Sequence, residues 1–403
     1  MPPAIARYLH QDPQCPCNCT TAPAAAAAAN SSSSSSAWPK SPHSAVFDDP
    51  WAKANIALTY AHQLKDGVGA QTMRMLEIYA LANSIGIGYL HRPITCVGHI
   101  GELVHYREAA CNLTREADVR LLAKIRRMIS LPSTVSEDQV RGWQQVYVSE
   151  FTWWKFAALA GEARRKQQPT LFVTEFATSV AHAYPGVFLS VPAFRPDHPE
   201  TRLVCQRPSA GAGLQPGKPW LLNALRLAIH VRRGDIATNS RWSHRMFPPA
   251  YYIHLAQQIT QVLDEAGCDF SVEVYTEAPS SAAGRAELEQ LRQAIPHAVM
   301  QVSKDMVWSW QQMATADVLV MSNSAFSISA ALLNPNAFNV FFPGAQLHQS
   351  RVEMSHWHMP LDRNGTLPSA ALQALKRRVG HPGATDGGFG SEEMDIFGRP
   401  LPF

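Results

Sequence analysis

Several things are missing from this chain, and each absence narrows its chemistry. None of its 403 residues lie in an apolar run of the roughly twenty residues that a membrane helix needs. The first residues do not show the charged-then-apolar layout of a signal peptide. Charge of one sign is scarce too: 35 Lys and Arg stand against 32 Asp and Glu, a net of +3, which gives no footing for nucleic acid as a partner. The seven cysteines never form Cys-x-x-Cys pairs, so the spacing of a structural zinc site is missing. Cys15, Cys17 and Cys19 crowd the N-terminal tail, while Cys96, Cys111, Cys205 and Cys268 are scattered and leave room for a disulfide or two. There is no Gly-x-x-x-x-Gly-Lys-Ser/Thr loop, which argues against an ordinary phosphate-loop kinase or sulfotransferase. Asp-x-Asp is absent as well, and with it the carboxylate pair that commonly seats a divalent cation on a diphosphate.

What is present divides into segments. Residues 1–48 carry an alanine run (24–29) and a serine run (31–36) and read as a disordered, low-complexity tail, unable to bury enough apolar surface to offset the entropy of ordering. Residues 49–200 read as one α/β domain, 201–220 as a linker rich in Pro and Gly, 221–379 as a second, Rossmann-like domain, and 380–403 as a flexible tail. The hydrophobic fraction, 46%, is ample for both cores. Asn-x-Ser/Thr tripeptides stand at Asn18, Asn30, Asn112 and Asn364.

In the first half, a short apolar run at 56–61 leads into Gly67-Val68-Gly69 and a helix whose apolar face includes Met73, Leu76, Ile78 and Leu81. Strand, Gly-x-Gly loop and helix form either a phosphate approach or a plain tight turn. Residues 105–170 are expected to be largely helical. Their aromatic series, Trp143, Tyr147, Phe151, Trp153, Trp154 and Phe156, is either core or a sugar-stacking surface. Strands are expected at 170–173 and 187–191. The second half alternates strand and helix cleanly. Its strands fall at 225–229, 270–275, 298–302, 318–321 and 339–342, the last closing the series. The helix after the first of these strands opens at Pro248-Pro249 and stops at Gly267. Repeated βα units of this kind argue for a doubly wound, mostly parallel sheet.

Chemistry concentrates where the strand at 225–229 ends, in His230-Val231-Arg232-Arg233-Gly234-Asp235. Ligands of open α/β sheets bind at that edge. Paired guanidiniums there suit an anion, and a diphosphate above all, because each planar fork can take two oxygens. The alternative is a pair of surface ion pairs followed by a Gly-Asp turn. Ser322-Asn323-Ser324 stands at a second strand-to-helix junction on the same edge, where hydroxyls and backbone N–H groups cap a helix or hold an anion. Together the two loops read as a clamp on a nucleotide diphosphate, with guanidinium in place of a metal.

These residues resemble a known family. His-x-Arg-Arg-Gly-Asp at 230–235 is similar to the hallmark motif of the fucosyltransferase superfamily that includes α1,2-, α1,6- and protein O-fucosyltransferases. The stretch 316–327, Ala-Asp-Val-Leu-Val-Met-Ser-Asn-Ser-Ala-Phe-Ser, resembles their later strand–Ser–helix motif, and Asp66-Gly67-Val68-Gly69-Ala70-Gln71 resembles their Gly-rich loop. The three occur in the family order. The resemblance implies a GT-B-like α/β fold of two Rossmann-like domains with the nucleotide-sugar site in the cleft between them. The N-terminal domain would serve the acceptor and the C-terminal domain the donor. It implies an inverting transfer of L-fucose from GDP-fucose to a hydroxyl of a glycan or glycoprotein, without metal or other cofactor, in the secretory pathway (Golgi).

Carried over by position, Arg232 contacts the β-phosphate, Arg233 supports Arg232 or the phosphate, and His230 lies near the guanosine. Gly67 and Gly69 let the backbone approach the donor, and Ser322, Asn323 and Ser324 close over the diphosphate. Asp305 is the nearest match for the acid that holds guanine, Asp235 either orients Arg232 or acts as base, and Glu277, at the end of a strand, is a weaker candidate for the site. The sequence departs from the family at Ser240, where α1,6-type members carry a Glu, and at Ile328-Ser329, where α1,2-type members carry two tryptophans. Two other readings stay open: a transferase using another nucleotide sugar, and a non-catalytic relative that binds a nucleotide or glycan.

Overall fold

Short apolar runs in this chain become parallel strands, and the segments between them fold back as helices. The computed structural model describes residues 46–61, 67–97, 116–148, 152–175, 224–233, 236, 244–279, 281–295, 297–334, 337–342 and 357–380. The first half comprises helix α1 (Pro50–Asn55), strand β1 (Ile56–Tyr60), α2 (Val68–Ile85), β2 (Gly88–Leu90), α3 (Glu116–Met128), α4 (Glu137–Val140), β3 (Gln144–Val148), α5 (Trp153–Arg165) and β4 (Thr170–Thr174). Its four strands form one parallel sheet in the order β2-β1-β4-β3. The second half comprises β5 (Leu225–Val231), α6 (Pro249–Glu265), β6 (Phe270–Thr276), α7 (Ala282–Ala294), β7 (Val299–Val302), α8 (Met306–Met313), β8 (Val318–Val320), α9 (Ala325–Leu332), β9 (Phe338–Val340), β10 (Trp357–His358) and α10 (Ser369–Gly380). Its sheet is parallel throughout, in the order β10-β9-β8-β5-β6-β7. Counted from β5, that is the doubly wound Rossmann order, with its switch point between β5 and β8. Two Rossmann-like α/β halves make the chain GT-B-like in architecture.

The central strand β5 is buried on both faces, as a parallel strand under two helical layers must be. Alternation sends Leu225, Leu227, Ile229 and Val231 one way and Arg226, Ala228 and His230 the other. The even face meets α8 and α9: Arg226 bonds Gln312, Tyr275 packs on Trp308, and His230 packs on Phe326. A polar network runs along this face, from Arg226 to Glu273 (2.9 Å), Gln312 (2.8 Å) and Thr315 (3.0 Å), with Tyr275 donating to Glu273. Burying Glu273 without these partners would be costly, since each lost charged contact of this kind leaves a desolvated group.

Helix α2 is buried along most of its length, polar Gln71, Thr72 and Glu77 included, because it lies between its own sheet and α9 of the second half. One hydrophobic cluster therefore runs through both sheets, from Phe47 and Phe156 to Val340 and Leu375. Among the described residues no helix is long and apolar enough to cross a membrane.

Two expectations are corrected. Residues 144–148 were expected within a largely helical region and form strand β3 instead. It is an edge strand with Gln144, Gln145 and Tyr147 exposed, so no apolar face announces it in sequence. The strand series does not close at 339–342: β10 adds to its outer edge, and α10 packs on α6. The aromatic series divides, with Trp153 and Phe156 packed in the core against Phe47 and Phe172 while Tyr147 and Trp154 are exposed. The strand expected at 187–191, the linker at 201–220 and both expected tails up to residue 45 and from 381 lie outside the described residues.

Candidate functional site

His230 sits near the carboxyl end of β5, and Ser322 follows β8. Their side chains meet across the switch point, Ser322 Oγ to His230 Nδ1 at 2.7 Å. Both are buried. Burial, and then the charge of Arg232, hold the imidazole down at about 3, so it is neutral at ordinary pH. Ser327 of α9 donates to the carbonyls of Ser322 and Ser324, each at 3.2 Å. Ser324 caps α9 by accepting from the Phe326 N–H at 3.3 Å. The Ser322-Asn323-Ser324 turn is thus held from within, and of the three only Asn323 is more than marginally exposed.

The adjacent arginines go to opposite sides of the strand end. Arg233 is buried and fully committed: Nε donates to Glu287 of α7 at 2.8 Å, one Nη to the Phe247 carbonyl at 3.0 Å, and the other to the Arg232 carbonyl at 2.8 Å. Its backbone N–H donates to Glu277, which follows β6, at 3.0 Å. Arg233 therefore ties the ends of β5 and β6 to Phe247, just ahead of α6, and to the second turn of α7. Arg232 lies on the His230 side with its side chain 22% exposed, and its Nη1 reaches the other oxygen of Glu277 at 3.4 Å. Glu277 thus divides its carboxylate between the two arginines. An acid beyond the second strand of this fold takes ribose hydroxyls in dinucleotide enzymes. Here it is engaged by guanidinium and backbone.

Gly67 and Gly69 open α2 beside this edge. Gly67 stands at the N-cap and, having no side chain, supplies no cap of its own to the first-turn N–H groups of α2. A Cβ on Gly69 would lie 2.5 Å from Phe326 Cα, 2.6 Å from Phe326 N and 2.7 Å from the Ala325 carbonyl carbon. The first turns of α2 and α9 are therefore in backbone contact, which only glycine permits. Two helix amino ends, each carrying partial positive charge, meet on the edge that also presents Arg232. That arrangement is suited to a multiply charged anion.

Asp305 stands farther along, capping α8 through the Trp308 N–H at 2.8 Å and pairing with Lys124 of α3 at 3.3 Å. Asp235 and Ser240 lie outside the described residues. Sequence reasoning gave Glu277 little weight and did not single out Lys124 or Phe326. The position of Glu277, an acid directly after the second strand of a Rossmann order, was the signal available. A small recess beside the arginines is lined by Val231, Arg233, Thr276, Glu277, Pro279 and Leu288. A larger hollow of about 440 Å³ lies away from this edge, between Val46 and the end of α5 at Arg164 and Arg165.

No family model matches the chain, and no curated protein matches it. Among solved structures, ADP-heptose lps heptosyltransferase II of E. coli is similar at 13% identity over 80% of this chain and 99% of that one, with a TM-score of 0.35. POFUT1 in complex with GDP is similar at 10% identity over 71% of this chain and 96% of that one, TM-score 0.32. MnaA of S. aureus with UDP is similar at 10% identity over 81% and 90%, TM-score 0.33. At scores this low none of them bears on the site, and the fold rests on the strand order itself.

Proposed function

We propose that this protein is an inverting glycosyltransferase that transfers L-fucose from GDP-fucose to a hydroxyl of a glycan or glycoprotein, without a divalent cation. The observation that carries the reading is the placement of Arg232. It is the motif arginine left partly exposed, at the carboxyl end of the central strand, on the edge where the start of α2, with glycine at its N-cap, meets the start of α9. In the proposed reaction the acceptor oxygen forms a bond to the anomeric carbon as the bond from that carbon to the β-phosphate oxygen breaks. Negative charge grows on the departing GDP, and Arg232 with the helix amino ends meets it. The proton of the acceptor hydroxyl passes to a base, for which Asp235 is the sequence candidate, or to water.

Preorganised donors of this sort are each worth roughly 2–4 kcal/mol to a transition state. Arg232→Ala is therefore expected to lower the transfer rate about 100- to 1000-fold. The decisive experiment is calorimetric titration of GDP and GDP-fucose, with EDTA present, into wild type and Arg232→Ala, followed by transfer assays. Binding that survives EDTA and is lost in the variant supports the reading; full transfer by Arg232→Ala defeats it.

One observation favours a second donor. The carboxylate of Asp305, the candidate for guanine, already serves as helix cap and partner of Lys124. A different base would then be read, and competition of GDP against UDP and ADP separates the two. The secretory pathway is proposed as the compartment. Cys96 and Cys268 are each disulfide-bonded, which suits an oxidising environment.

A further inference from the structure

Glu277 has no part in the transfer as described, yet it touches both arginines. One carboxylate oxygen accepts the Arg233 N–H at 3.0 Å, in good geometry and against a buried residue. The other reaches Arg232 at 3.4 Å, through a single contact between side chains that are 22% and 39% exposed. The first contact is a firm anchor for the loop. The second is weak, as half-exposed, single-contact ion pairs are. A diphosphate can offer the Arg232 fork two oxygens at once and more charge than a carboxylate.

We propose that Glu277 is a resident counter-ion for Arg232: a positioning residue that an incoming nucleoside diphosphate displaces and that reclaims the guanidinium when the diphosphate leaves. The inference rests on the donor-site reading given above. In the empty protein Glu277 helps to keep Arg232 at the strand end. In the occupied protein its carboxylate, still anchored by Arg233, stands beside the diphosphate as a like charge and weakens the hold on GDP. Glu277 therefore sets how readily the product GDP departs.

The test is the affinity for GDP and for inorganic pyrophosphate of wild type, Glu277→Gln, and both forms in an Arg232→Gln background. The glutamine keeps an oxygen for the Arg233 N–H, so its melting temperature is expected to stay near that of wild type. GDP is expected to bind Glu277→Gln about fivefold more tightly, the loss of one weak competing ion pair, and that gain is expected to vanish when Arg232 is Gln. A damaged site would weaken binding, so the direction separates this role from a merely structural one. Unchanged or weaker binding by a folded Glu277→Gln overturns the inference, as does a gain that persists without Arg232. If Glu277→Gln does not fold, Glu277→Asp carries the same test. Its shorter side chain draws the carboxylate back from Arg232, and binding no tighter than wild type overturns the inference. GDP binding that depends on Arg232, with no gain from either Glu277 variant, sinks this inference alone. A wild type that binds neither GDP nor pyrophosphate sinks the donor-site reading with it.

Discussion

Strand alternation sends neighbouring residues to opposite faces, and that separates two arginines that look equivalent in sequence. Arg233 points toward α6 and α7 and spends its donors on Glu287 and two carbonyls. Arg232 points to the His230 side and keeps a partly exposed head. Arg233→Ala is expected to cost about 3–5 kcal/mol, the range for breaking a buried, hydrogen-bonded charge. Arg232→Ala is expected to cost less stability than Arg233→Ala, since the Arg232 head is partly exposed. Urea unfolding of both variants checks the contrast, and equal losses would show that the two arginines are not divided in this way. His230 belongs with the structural members, since its neutral ring holds Ser322 at the switch point rather than offering a charge.

At the scale of elements, the meeting of α2 and α9 decides the geometry of the edge. Phe326 meets α2 through its backbone while its ring packs on His230, and Gly69 removes the obstacle to that backbone approach. Gly69→Ala places a methyl against backbone, which cannot rotate away. Overpacking of this kind costs typically about 1–3 kcal/mol, and here the upper end is expected. The same change is expected to weaken GDP binding, because the two helix starts must separate. A Gly69→Ala protein with wild-type melting temperature and GDP affinity would contradict the close contact.

For the whole molecule, two buried titratable groups pull stability in opposite directions with pH. His230 has its value lowered from 6.5 to about 3 by burial, and then by Arg232. The unfolded chain binds that proton more readily, so this contribution is complete above 6.5 and is lost as pH falls toward 3. Glu77 of α2 is raised from 4.5 to about 8, by burial that outweighs the opposing effect of Arg74, and one of its oxygens has no hydrogen-bond partner. Its contribution is complete below 4.5 and is lost as pH rises toward 8. Each limb has a slope of up to about 1.4 kcal/mol per pH unit. Between 4.5 and 6.5 the two slopes oppose each other. Melting temperature against pH is thus expected to be flat across that window and to fall on either side. Glu77→Gln should flatten the alkaline limb between 6.5 and 8 while leaving the acid limb; an unchanged alkaline limb would rule Glu77 out as its source. Asn364, exposed in the turn that Asp362 organises, is expected to carry a glycan when the protein is made in a eukaryotic secretory system. A glycosidase shift lost in Asn364→Gln checks it.

The strands of the second half were legible in the sequence because the central ones are covered on both faces and read as short, mainly apolar runs, interrupted by Arg226 in β5 and by Ser271 and Glu273 in β6. The edge of the sheet that carries the chemistry was legible for the same reason: a strand followed by His-Val-Arg-Arg can deliver those residues only to its carboxyl end. Strand β3 was not legible, since an edge strand with polar residues outward borrows its order from a neighbour, here β4. Nor could the chain alone separate Arg232 from Arg233, or show that Glu277 reaches both across 44 and 45 residues of sequence. Local pattern reports which face of an element seeks burial. Which polar group meets which is decided only when β5, β6 and β8 stand side by side, because hydrogen bonds and ion pairs depend on distances that the strand order creates.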